Sequence, residues 1–160
     1  LFFYLAQETG LEAALQQCFA DASAYACKYT ITEDKNWSGF FEFLYPSDEE
    51  RQTLENQNVL QVLLNEGDNL TTARRVDHWL YFPSAETRAK CAEAIIKLGY
   101  QIEEQENHAE SDREPAWRLN IYRDDSVAPA VIDAATIELF RLAKEYGGEY
   151  DGWETFVVRQ

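Results

Sequence analysis

The chain has 160 residues, of which 46% are hydrophobic and 14% aromatic, so it can bury a substantial core and is not a disordered segment. It carries 29 acidic and 14 basic side chains, giving a formal net charge of −15. This excess of carboxylates disfavours nucleic acid as a direct partner, because binding to phosphate backbones depends on clustered cations, and it favours basic proteins, although solubility alone also accounts for it.

The N-terminal half, residues 1–72, is predicted to begin with a strand followed by a helix. The first five residues form an apolar run that favours a strand. Thr9 and Glu12 then have the spacing of a capping box, and apolar residues recur after them at helical intervals. We therefore expect a helix over about residues 10–22.

A β-hairpin and a second helix are predicted to complete this half. Apolar and polar residues alternate over 25–31, and the aromatic stretch 37–45 follows a polar turn, as in a hairpin. Ser47 and Glu50 form a second capping box, which begins a helix that ends at Gly67. The expected element order of the N-terminal half is βαββα.

The C-terminal half, residues 73–160, is predicted to begin with a strand, a helix and a strand. Residues 74–82 have the composition of a strand. The helix is capped by Ser84 and ends at Gly99, and the next strand occupies about residues 100–104.

Three further elements complete the C-terminal half. A strand is predicted at 117–122, a helix with Pro129 in its first turn ends at Gly147, and a last strand runs over about 150–158. The residues expected to face the core from the first of these strands are Trp117, Leu119 and Ile121. The order βαββαβ predicts an α+β protein with a ferredoxin-like C-terminal half, and we expect the related N-terminal half to pack against it.

Few residues have the chemistry of an active site. The sequence lacks the glycine-rich phosphate loops and metalloprotease signatures, and it has two histidines. Arg74, Asp77 and His78 are the polar residues that could line a cleft for a small molecule. Asp77 and His78 are adjacent in a strand, so they point to opposite faces and cannot readily form a catalytic dyad. We expect a protein without enzymatic activity, cofactor or metal.

Cysteine usage and hydropathy indicate a cytoplasmic protein. The three cysteines form no CxxC pair, which argues against a disulfide framework or a structural zinc site. No apolar run approaches the roughly 20 residues that cross a bilayer, and no series typical of a signal peptide is present. We therefore expect no membrane partner and reduced thiols.

An acidic segment between residues 103 and 114 is the first candidate for contact with a basic partner. Its spacing lacks the turn glycine and the alternating carboxylates of a calcium loop, so we expect a solvated polar loop and no metal site. Its carboxylates belong to Glu103, Glu104, Glu106, Glu110, Asp112 and Glu114.

The second candidate is the string of residues 149–153, which follows two glycines at the end of the last helix. Gly152 inside a strand pattern predicts a β-bulge that would redirect Trp153. Tyr150, Asp151 and Trp153 are therefore candidates for partner contact. The alternative is a tryptophan in the core or at the sheet edge, with Asp151 bracing the turn.

At this string the sequence resembles the RraB family, the regulators of ribonuclease E activity B, over about residues 74–158. The resemblance rests on Gly99 with Tyr100, on the helix reading 132–143, and above all on Glu-Tyr-Asp-Gly-Trp at 149–153. It implies a ferredoxin-like fold and a bacterial, cytoplasmic, non-enzymatic protein that binds a large endoribonuclease and lowers its activity. The N-terminal half has no counterpart in this family.

Two other functions remain open from the sequence. The same acidic charge suits an immunity-like inhibitor of a basic nuclease. A cleft between the two halves, with the polar residues of the strand 74–82, would instead suit a small-molecule-binding protein or an enzyme.

Overall fold

A computed structural model describes residues 3–5, 9–20, 28–107 and 117–159, except for the side chains of residues 104–107. The chain divides into two compact units, Leu1–Glu42 and Phe43–Gln160. Among the described residues helices are combined with one four-stranded antiparallel sheet, as expected of an α+β protein.

The first unit contains α1 (Leu11–Cys18). A π-helix (Phe40–Leu44) begins near the end of this unit. The predicted capping box of α1 is wrong, since Gly10 occupies the cap position in a left-handed conformation and no side chain caps the helix. The helix also ends four residues earlier than the predicted residue 22.

The predicted hairpin is wrong over the described residues of this unit, since none of them lies in a strand. Asp34 gives a physical reason: its carboxylate accepts hydrogen bonds from the backbone N–H of Gly39 at 3.0 Å and the hydroxyl of Ser38 at 3.1 Å. These bonds stabilise a helical turn at the start of the aromatic stretch. The hydroxyl of Tyr4 donates to the same carboxylate, and its ring stacks on Trp37 at 4.6 Å. Residues 25–27 of the expected first hairpin strand lie outside the described residues.

The second unit begins with the long helix α2 (Asp48–Asn65), which is formed as predicted. The Ser47 hydroxyl accepts from the backbone N–H of Glu50, and the Glu50 side chain accepts from the backbone N–H of Ser47, so the capping box is complete. Gly67 follows the helix with a φ of +82°, which suits a left-handed turn.

Six elements follow α2 in the order βαββαβ, as the sequence predicts. Within the sheet the order is β2-β3-β1-β4, with antiparallel pairing throughout. The second strand extends beyond the predicted end into the segment expected to be a loop. The elements are β1 (Arg74–Phe82), α3 (Ala85–Lys97), β2 (Gln101–Asn107), β3 (Trp117–Asp125), α4 (Pro129–Glu145) and β4 (Glu149–Thr155).

The two faces of the sheet differ in burial. Along β1 fully buried and half-buried residues alternate, and the buried ones lie on the face covered by α3 and α4. In β3, Leu119 and Ile121 are fully buried whereas Arg118 and Asn120 are half-buried, which confirms the predicted register. The opposite face of β1 carries Arg75, Asp77, Trp79 and Tyr81.

Helix α2 packs against elements of the second unit that follow it in the chain. Its Leu60 and Leu63 share a buried cluster with Val76 of β1, Ile132 of α4 and Trp153 of β4. The sequence pattern predicts that α2 closes an N-terminal half ending at residue 72, whereas the structure divides the chain near residue 42. The apolar stripe of α2 supplies the reason, because it is buried against the elements that follow it.

Within the described ranges, every helix is too short or too polar to cross a lipid bilayer.

Candidate partner-binding site

A β-bulge in β4 organises the region around the string 149–153. Trp79 of β1 pairs with Gly152, whereas the next residue of β1, Leu80, pairs with Tyr150, so Asp151 is the additional residue. Gly152 has a φ of +135°, a conformation that side chains with a Cβ rarely adopt. The predicted bulge is confirmed, and it leaves Asp151 exposed.

The bulge directs Trp153 into the protein. Only 8% of this residue is exposed, and its indole N–H donates to Oδ1 of Asn56 in α2 at 2.9 Å. Trp153 therefore has almost no surface with which to contact a partner, and the alternative of a core tryptophan fits this position. Its side chain fastens β4 to α2.

Asn56 is the centre of a buried polar network that joins α2, α4 and β4. Besides the Trp153 bond, its Oδ1 accepts from Nε2 of Gln52 at 3.2 Å. Its amide group donates to Oδ1 of Asp133 and to Oγ1 of Thr136, each at 2.7 Å. Two accepted and two donated bonds use the whole hydrogen-bonding capacity of the amide. Burial of Asn56 is thus compensated.

The sequence contains a signal for this network that the prediction missed. Gln52 and Asn56 precede Leu60 and Leu63 at intervals of four, four and three residues, so all four lie on one helical face. Polar residues on the apolar face of a predicted helix indicate buried hydrogen bonds, but their partners in α4 and β4 lie about 77 to 97 residues away in the chain.

The half-buried Tyr150 faces the fully buried His78. The Tyr150 hydroxyl lies 2.8 Å from Nδ1 of His78, and the ring of Tyr100 meets the imidazole edge to face at 5.6 Å. Burial and the nearby charge of Arg123 lower the pKa of His78 from 6.5 to about 3. With a pKa of about 3 the imidazole is a weak base, and it is fully buried with one nitrogen bonded to Tyr150, so it does not suit a general base.

The predicted polar cleft of Arg74, Asp77 and His78 is not formed. Arg74 and His78 are buried on the helix-covered face of the sheet, whereas Asp77 lies on the other face and binds Arg75 at 2.7 Å. The two-residue period of the strand separates them. Arg74 instead forms a buried ion pair with Asp68.

Asp68 holds the segment that follows β4 near the start of β1. Its carboxylate accepts from Arg74 and from the backbone N–H groups of Leu70 and Val158, each of the latter at 2.6 Å. Burial alone would raise the pKa of Asp68, but these hydrogen bonds and the charge of Arg74 lower it to about 2. The carboxylate is ionised at neutral pH, and its role is structural.

The structure describes only the first part of the predicted acidic segment. Glu103 is exposed and forms an ion pair with Arg75 at 2.9 Å, and the Arg75 guanidinium lies 3.9 Å from the centre of the Tyr122 ring. Glu104 and Glu106 belong to β2, and their side chains are outside the described residues. The remaining members, also outside them, are Glu110, Asp112 and Glu114.

A surface cleft of about 260 Å³ lies between α2 and the bulge of β4. We call it the bulge cleft. Trp79 and Val59 contribute apolar surface, and no arginine or lysine is among its described lining residues. Its carboxylates belong to Glu55 of α2 and to Asp151 and Glu154 of β4.

The described residues contain no group of three or more histidine, cysteine or acidic side chains arranged to hold a metal ion. Cys91 is buried, which raises the pKa of its thiol to about 12, and Cys18 is exposed. Cys27 lies outside the described residues.

Two family models match the chain in different parts. The model described as "Regulator of ribonuclease activity B" matches residues 53–155, and "Family of unknown function (DUF695)" matches residues 1–45. The first match begins inside α2 and includes the whole sheet, so it is longer than the resemblance over 74–158. The matches lie largely in different compact units.

Several similar proteins carry the name "Regulator of ribonuclease activity B". The protein from Salmonella typhi is 30% identical over 67% of this chain and 78% of its own length. The protein from Escherichia coli K12 is 29% identical over 69% of this chain and 80% of its own. The protein from Haemophilus influenzae is 26% identical over 64% of this chain and 67% of its own length.

Proposed function

The chain belongs to the family of regulators of ribonuclease activity B, and on that basis we propose that it is a non-enzymatic, acidic regulatory protein that binds an endoribonuclease of the ribonuclease E type and lowers its activity. The observation that carries this proposal is the family match over residues 53–155. That range contains the complete sheet and the bond between Trp153 and Asn56 that fastens α2 to it.

Charge supports regulation through a protein contact. With a net charge of −15 the chain repels RNA, so competition for the RNA substrate is unfavourable, whereas basic segments of a nuclease are attracted. We propose that the electrostatic part of the contact comes from the carboxylates of the acidic segment 103–114, together with the exposed Asp151 of the bulge. In this proposal Tyr150 and Trp153 act indirectly, because they hold the bulge in place.

The state of His78 supports the absence of catalysis. It is the one histidine among the described residues, and its burial and its bond to Tyr150 leave it no contact with a substrate. We propose that the protein acts in the bacterial cytoplasm, needs no cofactor and changes the activity of another enzyme.

We further propose that the unit from β1 to β4 is a ferredoxin-like fold. The element order βαββαβ and the sheet order β2-β3-β1-β4 support this assignment. The matched family model extends beyond it into α2, so the functional unit in this proposal includes α2.

Binding of the full chain to a purified ribonuclease E-type endoribonuclease tests the proposal. We expect saturable binding that weakens at least tenfold when salt rises from about 0.05 to about 0.5 M, because the Debye length falls from about 14 to about 4 Å. A homologous endoribonuclease without basic segments is the control. Lack of binding at low salt would contradict the proposal, and tight binding to an unrelated basic nuclease instead would favour the immunity-like alternative.

A further inference from the structure

We propose that the bulge cleft accepts an arginine side chain of the basic partner. This inference rests on the proposed function and assigns the part of the surface that recognises the partner. It is carried by the size of the cleft, by the charges around it and by the tryptophan ring that lines it.

The size of the bulge cleft fits one long side chain. Its volume of about 260 Å³ lies below the roughly 300–1,000 Å³ of sites that enclose small-molecule ligands. The cleft lies at the surface, between α2 and β4, so a side chain can enter while the backbone of the partner stays outside.

The charges around the bulge cleft favour a cation. Within the described ranges, Glu55 and Glu154 are exposed and form no ion pair, and Asp151 adds a third carboxylate. Arg51, one helical turn before Glu55, is bonded to Asp48 instead. A cation in the cleft would therefore interact with the carboxylates of Glu55 and Glu154, which form no ion pair within the described ranges.

The tryptophan favours arginine over lysine. Trp79 is half-buried on the face of the sheet opposite to α3 and α4, and its cross-strand neighbour in β4 is Gly152. A Cβ at position 152 would meet no described atom within 4 Å, so the space at this position, which pairs with Trp79, is open. A planar guanidinium stacks on an aromatic ring while it donates two parallel hydrogen bonds to a carboxylate, which an ammonium group cannot do.

This arrangement also gives the bulge a function. Asp151 is the residue that the bulge adds, and Gly152 keeps the strand free of a side chain next to Trp79. Asn56 and Trp153 hold α2, the other wall of the cleft, against β4. Residues of the string 149–153 thus form or support the bulge cleft, although not all of them would contact the arginine side chain.

Binding of two synthetic peptides to the full chain tests the proposal. One peptide contains four arginines separated by glycine and serine, and the other has lysine in place of each arginine. We expect the arginine peptide to bind about three- to fivefold more tightly, since the two carry equal charge and differ in stacking and bidentate bonding. Equal affinity for both peptides would overturn the proposal.

Matched variants locate the binding. We expect the double variant Glu55→Gln/Glu154→Gln to bind the arginine peptide about five- to tenfold more weakly. The double variant Glu93→Gln/Glu138→Gln changes the net charge equally at exposed positions outside the cleft, and we expect less than a twofold effect. Equal weakening by both double variants would show general charge attraction and overturn the assignment. Thermal unfolding of each variant verifies that it is folded.

The variant Trp79→Leu tests the stacking separately. We expect it to bind the arginine and lysine peptides with equal affinity, because only the arginine loses a contact. A preserved preference for arginine in a folded Trp79→Leu protein would contradict the role of the ring.

The same proteins separate this inference from the proposed function. If the endoribonuclease binds the wild type and the Glu55→Gln/Glu154→Gln variant equally, regulation stands and the cleft assignment fails. If the arginine peptide binds at the cleft but the endoribonuclease does not bind the wild type, the cleft assignment stands and the proposed function fails.

Discussion

Asn56 offers a direct test of the network that holds α2 against the sheet. Its amide makes four hydrogen bonds, and replacement by alanine leaves the buried N–H of Trp153 without an acceptor. Thr136 retains a bond to the backbone carbonyl of Asp133 at 3.3 Å, and Asp133 is half-buried, so these two groups lose less. A buried donor left without an acceptor lowers the free energy of unfolding by about 1–3 kcal/mol, and each lost hydrogen bond lowers it by about 0.5–1.5 kcal/mol.

We therefore expect Asn56→Ala to lower the free energy of unfolding by about 2–4 kcal/mol, a large share of the roughly 5–15 kcal/mol of a typical domain. Urea unfolding followed by far-ultraviolet circular dichroism measures this change. Asn58→Ala is the matched control, because Asn58 lies in the same helix and is exposed. We expect the control to change stability by less than about 0.5 kcal/mol.

A double-mutant cycle with Trp153→Phe isolates the bond between Asn56 and Trp153. The phenylalanine keeps an aromatic ring but removes the indole donor. We expect a coupling energy of about 0.5–1.5 kcal/mol between the two substitutions. Additive effects, or a cost of Asn56→Ala equal to that of Asn58→Ala, would refute the network as a source of stability.

Two further predictions concern the core. The pKa of His78 is lowered by burial, so the unfolded chain binds a proton below pH 6.5 that the folded chain does not bind until about pH 3. The free energy of unfolding should therefore decrease as the pH is lowered through this window, by up to about 1.4 kcal/mol per pH unit. His78→Phe should reduce the loss between pH 7 and 5, whereas His108→Gln serves as the control. An unchanged loss for His78→Phe in urea unfolding would contradict this prediction. Gly148→Ala places a Cβ 2.5 Å from the Phe82 ring and should lower the free energy of unfolding by about 2–3 kcal/mol in the same assay. Gly147→Ala should cost less, because the position has open space and only its φ of +71° opposes a side chain. Equal costs for the two variants would argue against the close approach of Gly148 to Phe82.

Local signals were sufficient to predict the elements of the C-terminal unit. The segment of β1 has the composition of a strand, Ser84 caps α3, and Pro129 begins α4, so composition, cap and turn residues agree at each element. The β4 bulge was predictable because a glycine within a strand pattern commonly marks a bulge or a close approach of the backbone.

The errors have identifiable physical causes. The aromatic stretch 37–45 has high strand propensity, but the hydrogen bonds of Asp34 favour a helical turn there, and short apolar runs do not distinguish the two structures. The unit boundary was misplaced because α2 is buried by residues of β1, α4 and β4, and such distant packing leaves no mark in the local pattern.

The candidate site was predictable only in part. The family string directed attention to β4, but composition alone did not distinguish the buried Trp153 from the half-buried Trp79. The bulge cleft also needs Glu55, which lies about 100 residues before Glu154 in the chain and has no local signal of its own.

The cleavage rate of a labelled RNA by a purified ribonuclease E-type endoribonuclease, measured against increasing concentrations of the full chain, tests the central claim most directly. We predict a saturable fall in rate whose midpoint matches the binding affinity measured at the same salt concentration, with no cleavage by the chain alone. An unchanged cleavage rate at saturating concentrations, or RNA cleavage by the chain without the endoribonuclease, would contradict the account.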